Sequence, residues 1–171
     1  MKDLYLKLIE IFIETPENRQ RFIDLGLDPV KHIDLYSGQD VNPEYFEAAV
    51  YPALFIHFHI DHLVNEATIT VRVCYEQLRD TSSVSAMQTE ALKFFDFIDL
   101  VDELITGTES ESFGKLQPAT TDQQTEETVT DEFILTYTAS YQKNTAAGES
   151  YGTYEDVDIQ GKLYKNLLQP D

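Results

Sequence analysis

A single cysteine, Cys74, stands among the 171 residues, so no intramolecular disulfide can form and packing alone must hold any core. Glycine is scarce at seven, and no G-x-G-x-x-G or Walker-type run is present, which removes the phosphate-cradling loops. Basic residues are few: 12 Lys and Arg against 31 Asp and Glu give a formal charge of −19. A nucleic-acid binder needs cations to displace phosphate counterions, so neither sequence-independent nor sequence-specific nucleic acid is expected as a partner. An anionic membrane would repel the chain equally. No uncharged apolar run approaches the roughly 20 residues of a membrane span. The first residues, MKDLYLKLIEIFIETPE, carry charges inside their apolar stretch and lack a small-residue cleavage site. That is the pattern of an amphipathic helix, not a signal peptide, and synthesis in the cytoplasm is expected. A basic partner, a bound cation or solubility alone are the uses left for the acidity.

What is present suffices for one folded domain. Hydrophobic residues make up 42% and aromatics 12% of the chain, too many for global disorder and enough for a real core. Leu4, Leu8, Ile11 and Phe12 recur at helical spacing over residues 3–14, and Pro16 should end that helix near Thr15. A second short helix is expected over Glu17–Leu25, closed by Gly26. Residues 27–50 suggest a brief strand at Ile33–Tyr36, a turn at Ser37–Asp40 and a helical turn at Pro43–Val50.

Tyr51–Glu76 reads as two strands joined by a polar turn, and the rest of the chain is organised around this pair. Leu54, Ile56, Phe58 and Ile60 fall on one face; Phe55, His57, His59 and Asp61 fall on the other. The second strand sets Ile69, Val71, Val73 and Tyr75 against Thr68, Thr70, Arg72, Cys74 and Glu76. One apolar and one mixed face is the half-covered antiparallel pattern. The helix over residues 86–106 supplies the cover, with Ala91, Phe94, Phe95, Ile98, Val101 and Ile105 as its stripe. Residues 106–132 hold seven acids against one lysine; within them Phe113–Leu116 is expected as a short strand and the remainder as a mobile, solvated loop. A long strand follows over Val129–Tyr141, and the tail closes on a short helix near Ile159–Leu168. The expected organisation is a single α+β domain over 1–142, with the acidic loop 106–132 inserted and a C-terminal extension over 143–171. Its architecture is a mainly antiparallel sheet of about four strands with helices packed on one face.

One motif invites a chemical reading. His57-x-His59-x-Asp61-His62 matches the H-x-H-x-D-H signature of the metallo-β-lactamase superfamily, where imidazoles and a carboxylate bind zinc. On that reading the chain is a metal-dependent hydrolase using these four residues. Three features oppose it. No histidine follows His62, His32 lies upstream, and the superfamily completes its site with later histidines. That superfamily's fold is a four-layered sandwich usually longer than this chain. The strand alternation also runs through the motif, which puts His57 and His59 on one face about 7 Å apart at the backbone. Ordinary positions on an open sheet face are the simpler reading. Cys74 is expected as a small packing residue and the acids of helix 86–106 as a solvated face. No catalytic set and no cofactor is expected.

The order of these pieces carries a resemblance. The N-terminal amphipathic helix, the Tyr51-Pro52-Ala53-Leu54-Phe55-Ile56 entry into a strand and the strand Ala67–Tyr75 are followed by the helix with Ala91, Leu92 and Ile98. The Phe113-Gly114-Lys115-Leu116 segment and the strand Phe133–Tyr141 complete it. Over residues 1–142 this resembles the tail terminator, tail completion or neck proteins of long-tailed bacteriophages; the acidic stretch 117–131 and the tail 143–171 depart from them. The resemblance implies a non-enzymatic structural protein of a phage or prophage tail that assembles into a ring, commonly a hexamer. Such a ring caps the tail tube protein and offers the head-connector protein a docking surface. It also implies assembly in the bacterial cytoplasm and a final place at the head–tail junction of the virion. A third reading is an acidic interaction domain of a mobile element that engages a basic partner.

Overall fold

The computed structural model describes residues 1–39, 50–75, 81–124 and 131–143. Helix α1 (Lys2–Ile9) turns inward Leu4 and Leu8, and a π-helical turn at Glu10–Glu14 carries the same stripe on to Phe12. The wider turn has a local cause. Pro16 forces Thr15 out of helical geometry (φ −86°, ψ 106°), and the Thr15 N–H and hydroxyl both return to the Glu10 carbonyl, at 2.9 and 2.8 Å. The carbonyls left open there find donors in the next helix, α2 (Pro16–Asp24). Asn18 Nδ2 donates to the Ile11 carbonyl, and Arg19 Nη1 donates to those of Phe12 and Val30. Gly26, at φ +71°, closes α2 in the left-handed conformation that a side chain resists.

Five strands follow: β1 (His32–Leu35), β2 (Ala53–Asp61), β3 (Glu66–Tyr75), β4 (Gln117–Gln123) and β5 (Asp131–Ser140), with α3 (Gln88–Ile105) between β3 and β4. They form one sheet in the order β1-β2-β3-β5-β4, antiparallel except for the parallel β1–β2 pair. The fold is α+β: the described residues form three helices and a mixed, mostly antiparallel open sheet. Leu54 and Ile56 of β2, Ile69, Val71 and Val73 of β3, and Leu135 and Tyr137 of β5 share a single core with Leu4, Leu8 and Phe12, Phe22, and Phe94, Phe97 and Val101. All three helices therefore cover the same sheet face. Phe22 sits where they meet, 6.5 Å from the Phe12 ring and 5.1 Å from that of Phe97.

The expected elements at 3–14, 17–25, 33–36, 51–61 and 86–106 all have counterparts, as do the strands of Ala67–Tyr75 and Phe133–Tyr141. Three corrections apply. The stretch 106–132 contains the strand β4, so it is not a loop throughout. Phe113–Leu116 is not a strand; Phe113 makes one isolated bridge to Tyr141. On α3 the inward stripe includes Phe97 and Leu100, whereas Phe95 is 48% exposed, because a 3.6-residue repeat seats 94, 97, 98, 101 and 105 on one side. The expected helices at Pro43–Val50 and Ile159–Leu168 lie outside the described residues, apart from Val50.

Candidate functional site

The uncovered face of the sheet holds the residues singled out by motif. His57, His59 and Asp61 are all exposed there, and the register sets His57 beside Thr70 and His59 beside Thr68. Asp61 has a structural task at the end of the strand: its Oδ1 accepts the Leu63 N–H at 2.8 Å, the local bond by which aspartate opens a turn. Asn65, at φ +54°, completes that turn. His62 has passed to the turn itself and stands edge-on to Tyr141, with ring centroids 5.8 Å apart. Among the described residues no group of three or more His, Cys, Asp or Glu is placed to share a metal ion. The His57–His59 pair offers two imidazoles, short of the three or four protein ligands that hold a zinc ion.

Nearer β1 the same face is closed, not open. Ala53, Phe55 and Cys74 are fully buried, with Tyr36 and Tyr51 packed against them. Cys74 is thus a packing residue, and His32 leans edge-on against Phe55 at 6.0 Å. Beside them lies a charged pair that sequence reading missed. Arg72 Nη1 donates to Glu132 Oε1 at 2.6 Å, with the Glu132 side chain wholly buried, and the guanidinium stands 4.1 Å from the centre of the Tyr36 ring. Arg72 and Glu132 are separated by 60 residues. Their signal was weak but present: alternation assigns both Arg72 and Glu132 to the mixed face of their strands.

Two further polar contacts tie elements together. Asp3 at the start of α1 accepts Ser110 Oγ at 2.7 Å and the Ser112 N–H at 2.8 Å. Burial works to raise its carboxyl, but these bonds and the nearby amino terminus outweigh it and hold the group well below the usual aspartate range. Tyr137 donates its hydroxyl to Asp102 Oδ1 at 2.6 Å across the α3–β5 contact. Burial, then the Asp102 carboxylate, push that hydroxyl well above the usual tyrosine range.

The arrangement's most distinctive surface is its pair of sheet edges. β1 has four residues, so β2 continues from His57 to Asp61 with no strand on its β1 side among the described residues. At the opposite edge β4 is exposed at all seven positions, on both faces, and is held by its ladder to β5. Pro118 and a register shift before Thr120 mark the start of that ladder, features typical of edge strands. No described helix is long and apolar enough to cross a membrane. Neither a family model nor a curated protein sequence matches this chain.

Proposed function

We propose that this protein is a structural component of a phage or prophage tail, a ring-forming terminator or neck protein that caps the tail tube and joins it to the head. The observation that carries the reading is the open sheet with two unlike edges, the short β1 side and the wholly exposed β4. Two different edges on one subunit suit head-to-tail association, which closes into a ring when the rotation between neighbours permits. The order of helices and strands over residues 1–142 supports the reading further. So does the acidity: a lumen bearing the charge of several −19 subunits would repel DNA phosphates and let the duplex pass without sticking.

The test is the size of the purified chain. Light scattering coupled to gel filtration, with negative-stain images, should show a closed ring at high protein concentration. A monomer throughout the accessible range, with no binding to a tail tube protein, would overturn the reading.

A further inference from the structure

Each outer edge of the sheet leaves backbone groups open, and the alternation of a strand tells which. The Tyr36 N–H donates to the Ile56 carbonyl at 2.9 Å, so the even-numbered residues of β2 turn their N–H and C=O toward the β1 side. β1 ends at Leu35, opposite Ile56. Phe58 and Ile60 therefore present theirs at an edge where no strand among the described residues pairs with them. At the far edge the Gln124 N–H donates to the Glu132 carbonyl at 3.0 Å. Thr120 and Asp122 accordingly face β5, and Thr121 and Gln123 turn their backbone groups outward. Side chains sort the same way. Asp122 is in register with Ile134, Arg72 and Phe55, so it shares the uncovered sheet face with His57 and His59. The Thr120 hydroxyl donates to its Oδ2 there at 3.0 Å.

The two edges complement one another. β4 runs opposite to β2 in the sheet, so copies set side by side in one orientation bring β4 and β2 together antiparallel. β4 has a single acid in QPATTDQ, which limits repulsion between copies of net charge −19. A register with Thr121 opposite Ile60 and Gln123 opposite Phe58 pairs all four sets of outward backbone groups. It also stops β4 short of the end of β1. In that register Asp122 stands directly across from His59 on the uncovered face, a carboxylate beside an imidazole, which is a favourable cross-strand pair.

We infer that β4 of each copy adds to the open end of β2 in the next, in this register, so that one sheet continues from subunit to subunit. The seam rests on the head-to-tail ring proposed above and identifies its bonded residues. His59→Cys/Asp122→Cys in one chain tests it. Directly opposed Cβ atoms lie about 5 Å apart, within reach of a disulfide. Within one chain the two sites are separated by β3 and β5, about 14 Å, and the native Cys74 is buried. Oxidation should therefore link successive copies into a ladder on a non-reducing gel, whereas His59→Cys or Asp122→Cys alone should give none. A ring in light scattering without that ladder would overturn the seam and leave the ring standing. Monomer at every concentration would overturn both. Dimers from a single-cysteine variant would mean that an edge pairs with itself, which also overturns the seam. A second measurement uses Thr121→Pro, which deletes an outward N–H and no bond to β5. With its circular dichroism unchanged, it should need about tenfold more protein to assemble; assembly equal to the parent's sinks the proposal.

Discussion

Glu132 is a carboxylate whose side chain has no solvent access, and the Arg72 guanidinium is paired with it at 2.6 Å. Replacing Arg72 by alanine removes one member of this buried pair, at a cost of roughly 3–5 kcal/mol. Urea unfolding of Arg72→Ala measures it; a loss under 1 kcal/mol would mean that Glu132 accepts a proton or reaches water. Asp3 gives a prediction in pH. Its folded carboxyl titrates below the ordinary value of 3.8, so its contribution is present above that value and is lost as pH falls beneath it. Asp3→Asn should lower stability by about 1–2 kcal/mol at pH 7 and flatten the acid limb below pH 3.8. Thermal melts across pH 2 to 7 check both. Tyr137 has the opposite sign. Its raised hydroxyl favours the folded state below the ordinary tyrosine value of 10.0, and that advantage drains away as pH rises past it. Tyr137→Phe should remove this alkaline dependence, visible as a flatter melting profile above pH 10.

Among the elements, α3 and β4 stand at opposite ends of a scale of burial. α3 seats Phe94, Phe97, Ile98, Val101 and Ile105 in the core. Phe97→Ala should therefore cost about 3–5 kcal/mol. Phe95→Ala should cost only about 1 kcal/mol, because Phe95 is half exposed and touches Phe133 ring to ring at 5.8 Å. β4 buries none of its seven side chains, so its ladder to β5 opens at little cost in apolar contact. Hydrogen exchange should show β4 amides exchanging well ahead of those in β3 and the β3-facing side of β5. If the ring forms through this edge, those β4 amides slow when the protein is concentrated.

For the whole molecule, charge separates the competing readings. Subunits of net charge −19 repel one another, and salt screens that repulsion. A ring should become more stable as ionic strength rises from 0.05 to about 0.5 M. Capture of a basic partner by an acidic surface should weaken over the same range. Sedimentation at the two salt concentrations distinguishes them by sign alone.

Much of this architecture was legible because periodicity reports burial. The two-residue repeat of Leu54, Ile56, Phe58 and Ile60 and the helical stripe through Phe94, Ile98 and Val101 each need only one covered face, and the chain order supplied it. The sequence also bounded the charge and left no cysteine partner for Cys74. Strand β4 was hidden for the converse reason: QPATTDQ has no apolar side to detect, and only the ladder of β5 makes it a strand. Tertiary structure alone decided that Arg72 meets Glu132, that His62 turns away from His57 and His59, and that β1 stops short along β2. Those outcomes depend on register and strand order, which are set by contacts between residues far apart in the chain, and no local repeat encodes them.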